Sequence, residues 1–224
     1  MKTYPLLCCL FFSLLLSAQN DLFHDESYKD AAFFAFKMKL LKAIETQDVD
    51  ALVPILADTV EDGFGGCGAC PKQEFINNHF SKDQNNYWWG ILRNITRFGF
   101  ARIDKNGKYF FQAPSWYQKH NSENELVVLG ENVNVREDAS TSSRVIAQLS
   151  FTKTGCNCSI VNMTEESSKF ADGYHWIQIV LPNGKKGYIV SDFTSMSDGY
   201  FKELSVKKIN GEWKITSFFN PAGC

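Results

Sequence analysis

The sequence predicts an α+β protein in two parts, a helical α+β N-terminal domain followed by a small all-β barrel or sandwich. In the first hundred residues, apolar side chains recur at three- and four-residue steps, which is typical of the buried face of helices. Beyond a polar stretch at residues 119–125, the apolar runs are short and separated by turn-forming residues. The chain has 224 residues, 44% hydrophobic and 21% charged, and this composition excludes disorder over the whole chain.

The first 18 residues have the pattern of a secretory signal peptide. A lysine at position 2 precedes an apolar run from Leu6 to Leu16, and the small residues Ser17 and Ala18 end it. This run is much shorter than the ~20 residues that a membrane-spanning helix needs. We therefore expect cleavage after Ala18, no transmembrane segment, and a secreted or periplasmic protein.

The charge of the chain is nearly balanced, with 23 Lys and Arg against 25 Asp and Glu. Binding to nucleic acid or to an anionic membrane surface depends on an excess of positive charge. We therefore expect no nucleic-acid partner.

Four segments of the N-terminal domain, which we place at residues 19–120, are predicted to be helical: residues 28–45, 48–57, 72–80 and 86–98. Asp48 is typical of the N-cap of the second helix, and Pro54 must kink or end it. The glycine-rich residues 62–71 predict a loop. The pair Trp88 and Trp89 could stack on sugars, but helical spacing favours a place in the core.

Two β-hairpins are predicted from Asn-Gly pairs, which favour tight type I′ turns. The first joins residues 100–103 to residues 109–113, and the second joins residues 200–208 to residues 212–219. Two strands alone are only marginally stable. We therefore expect the second hairpin, residues 199–220, to pack on the N-terminal domain and complete its sheet.

Six short runs between residues 126 and 196 predict strands of the second part: residues 126–129, 133–136, 144–149, 159–163, 175–181 and 186–190. No helix is predicted here. Val133 and Val135, like Ile177 and Ile179, alternate with polar or aromatic residues and predict one buried face. Gly187 is expected to allow neighbouring strands to pack closely.

An ordered set of residues in this region resembles bacterial SH3-like (SH3b) domains: Asn132–Arg136, Ser140–Ser143, Val145–Leu149, Trp176 and Asn183–Val190. The likeness covers residues 126–196, about a third of the chain. It departs from the family at residues 156–174, where such domains have a short loop. The final hairpin, Lys207–Thr216, resembles the ending of exported bacterial proteins that have a helical N-terminal region, an SH3b domain and a terminal hairpin. The opening of the chain, around residues 41–50, also resembles NTF2-like (cone-shaped α+β) domains.

The SH3b resemblance implies an SH3-like barrel that acts as a non-catalytic binding module. Its implied ligand is a peptidoglycan peptide or glycan, or an envelope protein. Trp176 and Tyr188 match aromatic positions of the family, and together with Tyr174 they are candidates to line a groove with Asn134 and Arg136 at its edge. The alternative is that Trp176 and Tyr188 belong to the barrel core.

The cysteines outside the signal peptide are expected to form disulfides, since an exported protein folds in an oxidising compartment. The candidates are Cys67, Cys70, Cys156 and Cys158, and sequence leaves their pairing and the fate of Cys224 open. Redox chemistry is disfavoured because Cys67-x-x-Cys70 follows a glycine-rich loop rather than opening a helix. Zinc is disfavoured because one residue between Cys156 and Cys158 is a tight spacing. We expect no metal and no cofactor.

Catalysis is not expected, because the four histidines are scattered and no nucleophile, metallopeptidase or nucleotide-binding pattern occurs. His79 could lie beside Cys67 and Cys70, but a surface position is expected. One alternative is an envelope hydrolase or enzyme accessory, which predicts a polar pocket with perturbed pKa values in the N-terminal domain. Another is a protein–protein scaffold, which predicts an exposed apolar patch and no concave pocket.

Overall fold

The computed structural model describes six stretches of the chain: residues 22–63, 68–81, 87–118, 125–156, 168–196 and 203–219. The predicted signal peptide, most of the polar stretch and the predicted strand at 159–163 lie outside these residues. The described residues contain four α-helices and two β-sheets, so the predicted α+β class is confirmed.

The described residues divide into two compact units. Residues 24–118 and 203–219 form one unit, which we call the first domain. Residues 22–23 and 125–196 form the other, which we call the second domain. The first domain is therefore made of two segments that are distant in the chain.

All four α-helices lie in the first domain: α1 (Ala31–Thr46), α2 (Val49–Leu52), α3 (Lys72–Phe80) and α4 (Tyr87–Thr96). Asp48 caps α2 as predicted, since its carboxylate accepts a hydrogen bond from the backbone N–H of Ala51 at 3.0 Å. The predicted extension of this helix to Ala57 is wrong. Because Pro54 has no N–H, the chain passes through a single 3₁₀ turn, Val53–Ile55, and then enters a strand.

Thirteen strands are described: β1 (Leu56–Glu61), β2 (Ala69–Pro71), β3 (Ala101–Lys105), β4 (Lys108–Ala113), β5 (Glu125–Val128), β6 (Val133–Arg136), β7 (Val145–Leu149), β8 (Thr152–Cys156), β9 (Ser168–Ala171), β10 (Tyr174–Val180), β11 (Lys186–Val190), β12 (Glu203–Ile209) and β13 (Glu212–Phe219). Strands β1, β2, β8 and β9 were not predicted. Strand β2 lies in the segment for which the sequence predicted a loop.

The sheet of the first domain has the strand order β2-β1-β13-β12-β4-β3. The C-terminal strands β12 and β13 lie in the middle of this sheet, where β13 pairs in parallel with β1 and β12 pairs antiparallel with β4. The helices supply Phe33, Leu40 and Ile95 to a large core, in which Phe111 of β4 and Trp213 of β13 are also buried. Residues from both ends of the chain thus share one core.

The second sheet is a curled half-barrel with the strand order β5-β8-β10-β11-β6-β7, and β9 pairs with β10. Its core is aliphatic and includes Val133, Val135, Ile177 and Ile179, as their alternation predicted. A Cβ atom on Gly187 would lie 2.6 Å from Cγ1 of Val135, so the predicted close packing at this glycine is confirmed.

Candidate functional sites

The five residues proposed for ligand binding lie on three adjacent strands of the second sheet: Asn134 and Arg136 on β6, Tyr188 on β11, and Tyr174 and Trp176 on β10. Tyr188 is directly opposite Arg136 and, on its other side, directly opposite Gln178. Side chains two residues apart in a strand share a face. All five therefore lie on one face, which we call the outer face, and the core valines and isoleucines lie on the other.

Side chains on the outer face differ in exposure. Tyr174 is 44% exposed and Asn134 is also exposed, whereas Trp176 is 1% and Tyr188 8% exposed. Trp176 and Tyr188 are nevertheless outside the aliphatic core cluster. Trp176 is held by a hydrogen bond from its indole Nε1 to the carbonyl oxygen of Ala171 at 3.0 Å, and its ring meets that of Tyr174 edge-on. Trp176 thus supports the exposed Tyr174 rather than offering a surface of its own.

Local hydrogen bonds fix the polar side chains of the outer face. The guanidinium of Arg136 donates to the carbonyl oxygen of Ser143 at 2.6 Å, and Gln178 donates to the hydroxyl of Tyr188 at 3.0 Å. The amide oxygen of Asn134 accepts from Gln148 at 3.0 Å. These contacts hold the face in one arrangement before any ligand binds, which lowers the entropy lost on binding.

A concave site lies in the first domain, on the sheet face opposite the core. Leu204 and Val206 of β12 are buried in the core, so Glu203 and Ser205 point to the other side. There they line a cavity of about 1020 Å³ together with Ser217 of β13. We call this the sheet cavity.

Glu203 lines the sheet cavity and has a perturbed pKa. Burial raises the pKa of its carboxyl group, while hydrogen bonds from Ser205 and Gln112 and the charge of Lys207 offset part of that increase. The Ser205 hydroxyl donates to Glu203 Oε1 at 3.2 Å. Glu203 was not predicted as a site residue, although the alternation Glu-Leu-Ser-Val-Lys in β12 places three polar residues on one face.

The expectation that His79 lies at the surface is wrong. His79 is 7% exposed, and its Nε2 lies 2.7 Å from Oδ1 of the equally buried Asp62. Its ring packs edge-on against Trp88 with 4.1 Å between the ring centroids. Helical spacing explains the burial, because α3 turns His79 to the same side as the core residue Phe75.

The Asp62–His79 pair has the character of a structural contact. The sulfur of Cys70 lies 3.7 Å from Oδ2 of Asp62, so one carboxylate joins the predicted cysteine loop to α3. Within the described residues, Nδ1 of His79 is buried and has no hydrogen-bond partner. Cys70 is disulfide-bonded and therefore not a free nucleophile beside this pair.

Cys156 is disulfide-bonded as well. Cys67, Cys158 and Cys224 lie outside the described residues, so the pairing of the cysteines stays a prediction. In the described part of the chain, no group of three or more His, Cys, Asp or Glu side chains is arranged to hold a metal ion. None of the described helices is both long enough and apolar enough to cross a bilayer.

Comparisons with protein-family models, with curated proteins and with solved structures find no match to this chain.

Proposed function

We propose that this is an exported, non-catalytic binding protein whose second domain is an SH3b module that recognises a peptide or glycan of the cell wall. The observation that carries this proposal is the register of the second sheet, in which Arg136, Tyr188 and Gln178 lie side by side on adjacent strands. The exposed ring of Tyr174 lies on the same face. The predicted signal peptide supports a location outside the cytosol.

The chemistry of the outer face suits such a ligand. Tyr174 offers an apolar ring with a hydroxyl at its edge, and its neighbour Trp176 is fixed by a hydrogen bond. Arg136 is the residue type that pairs best with carboxylates, which wall peptides carry. The amide of Asn134 both donates and accepts hydrogen bonds, as hydroxyl and amide groups of glycan chains require.

Co-sedimentation with purified peptidoglycan sacculi tests the proposal. Binding should fall about tenfold in Tyr174→Ala, equivalent to ~1.4 kcal/mol, because the exposed aromatic contact is lost. Phe170→Ala is the matched control. Phe170 is 78% exposed on β9, but it is paired with His175 and so lies on the opposite face from Trp176 and Tyr174.

Three results would contradict the proposal. One is that the unaltered protein does not sediment with sacculi. Another is that Tyr174→Ala and Phe170→Ala reduce binding equally, which would show that binding does not depend on the outer face. The third is release of soluble wall fragments by the unaltered protein, which would favour the hydrolase alternative.

A further inference from the structure

Four lysines lie at one end of the first sheet: Lys105 of β3, Lys108 of β4, and Lys207 and Lys208 of β12. Lys105, Lys108 and Lys207 lie on the face that lines the sheet cavity, whereas Lys208 alternates with Lys207 along β12 and lies on the core side. Lys105 and Lys108 are directly opposite each other across the β3–β4 pair. Among the described residues, no carboxylate oxygen lies within 4.0 Å of any of these four ammonium groups, although other lysines of the chain do form such ion pairs.

This arrangement costs stability and produces a positive field. Like charges directly opposite each other on neighbouring strands repel by roughly 0.2–1 kcal/mol. A concave site with one sign of charge around its opening raises the local concentration of the opposite ion. The cavity face also carries the carboxyl groups of Glu61 and Glu203, which leaves its three lysines in excess by one.

The wall of the cavity next to these lysines is aromatic. It is formed by Phe110, which lies on the same face of β4 as Lys108, whereas Tyr109 and Trp213 lie on the core side of the sheet. Nζ of Lys207 lies 5.8 Å from the centroid of the Phe110 ring. The apolar surface and the positive charge are therefore contiguous, so a single small molecule can contact both.

The opposite end of the cavity is polar. Ser205 and Ser217 are buried there and are paired across the β12–β13 contact, with Glu203 beside them. A volume of about 1020 Å³ is at the upper end of the range in which proteins bind small organic molecules. The site thus combines a cationic opening, an aromatic wall and a floor of hydroxyl and carboxyl groups.

We propose that the sheet cavity is a second binding site, which takes a small organic anion with an aromatic or similarly apolar body. The anionic group, a carboxylate, sulfonate or phosphate, contacts the lysines. The apolar body lies against Phe110, and any hydroxyl or amino group at its far end reaches Ser205. This site does not depend on the outer face of the second domain, so this proposal is tested independently of the proposed function.

The test compares two probes that differ by one charged group. 1-Anilinonaphthalene-8-sulfonate carries a sulfonate, and N-phenyl-1-naphthylamine has the same rings without it. In fluorescence titrations of the unaltered protein, the sulfonate should bind at least about tenfold more tightly. The double variant Lys108→Gln/Lys207→Gln should weaken the sulfonate about tenfold and leave the uncharged probe unchanged.

The control variant is Lys153→Gln/Lys186→Gln, which removes the same charge from exposed positions of the second domain and should bind both probes normally. Amide chemical shifts locate the probe, and changes should centre on β12 and on the β3–β4 turn. Competition by 1-naphthoate or by 1-naphthyl phosphate supports the anion site, and the tighter competitor identifies the preferred group.

Four outcomes would overturn the proposal. Two concern the unaltered protein: equal affinity for the two probes, or no binding of the sulfonate at millimolar concentration. The other two are an equal loss of sulfonate affinity in the control variant, and chemical-shift changes confined to residues outside the sheet cavity. Binding of sacculi is measured independently, so a failure here leaves the proposed function unaffected.

Discussion

The cores of the two domains are built from different side chains and from different distances along the chain. In the first domain, Phe33 of α1 stacks on Phe111 of β4 and meets Trp213 of β13 edge-on, with 5.2 Å between the ring centroids of Phe33 and Trp213. In the second domain, aliphatic residues between Leu126 and Ile189 form the core, with no aromatic residue in the cluster of described residues.

This difference has a consequence for folding. The first domain cannot complete its core until a segment more than 150 residues downstream of α1 is in place, because β12 and β13 lie in the middle of its sheet. Closing so long a loop costs entropy that grows with its length. The second domain closes its core within a continuous segment, and proteins rich in local contacts fold faster.

Removing an aromatic ring from the long-range core should have the largest effect on stability. Phe33→Ala deletes a ring that is fully buried among four others, and we expect it to lower the free energy of unfolding by about 3–5 kcal/mol. Urea denaturation measures the loss. Hydrogen exchange should show lower protection in first-domain amides and unchanged protection in β10 and β11.

Its neighbour Phe34 provides the control, since it is 44% exposed and Phe34→Ala should change stability by no more than about 0.5 kcal/mol. Equal loss of protection in both domains for Phe33→Ala would show that the two cores are not energetically separate.

In the second domain, adding a side-chain atom should reduce stability most where the strands pack closest. Gly187→Ala places a Cβ atom 2.6 Å from Cγ1 of Val135 and 3.0 Å from the carbonyl oxygen of Arg136. Because that oxygen belongs to the backbone, the strands must move apart, at a cost of about 1–3 kcal/mol. Thermal denaturation of this variant is compared with that of Gly155→Ala, whose new Cβ atom would meet nothing closer than 3.7 Å. The same melting temperature for both variants would contradict this account.

Local signals in the sequence were sufficient to predict those elements whose structure is determined by neighbouring residues. The Asn-Gly pairs predicted both hairpins, and both residues of each pair have the positive φ angles that the turns need, 53° and 72° for Asn106 and Gly107. Helix α3 begins and ends at the predicted residues, 72 and 80. In the second domain, alternation placed Val135 and Ile177 in the core correctly.

The missed features depend on distant parts of the chain. Strand β1 has no strict alternation, and it is a strand because β13 pairs with it in parallel. The burial of His79 comes from its packing against Asp62 and Trp88. The raised pKa of Glu203 also depends on distant residues, because the burial that raises it cannot be inferred from its sequence neighbours. Tertiary packing therefore determines the sheet cavity, whereas strand alternation already indicated the outer face of the second domain.

Stability at acid pH should depend on Glu26 in the first domain. Burial alone would raise the pKa of this carboxyl group, but hydrogen bonds from Lys29, from the backbone N–H of Arg102 and from His24 outweigh it and lower the pKa to about 2. The stabilisation is therefore present above the ordinary value of 4.5 and is lost as the pH falls from there toward 2.

Glu26→Gln should lower stability by about 1 kcal/mol at pH 6 and have no effect near pH 2, as measured by urea denaturation across this range. The exposed Glu45→Gln on α1 should show no such pH dependence. A difference between wild type and Glu26→Gln that is constant from pH 6 to pH 2 would exclude this carboxylate as the source.

Glu203 should behave in the opposite way, with a smaller effect. Because burial raises its pKa, the folded protein binds this proton more tightly than the unfolded chain does. Stability then falls as the pH rises from the ordinary value of 4.5 through the raised pKa, and the cost persists at higher pH. Glu203→Gln should therefore increase the free energy of unfolding at pH 7, by less than about 1 kcal/mol, and leave it unchanged at pH 4.

Thermal denaturation at the two pH values measures this difference, with Glu61→Gln, at the same cavity but exposed, as the control. A buried carboxyl group that costs stability is typical of a binding or catalytic site, where function needs a group that folding does not. Lower stability of Glu203→Gln at pH 7 would instead make this carboxyl group part of the structural framework of β12, and the sheet cavity would then lose its one energetically unfavourable carboxylate.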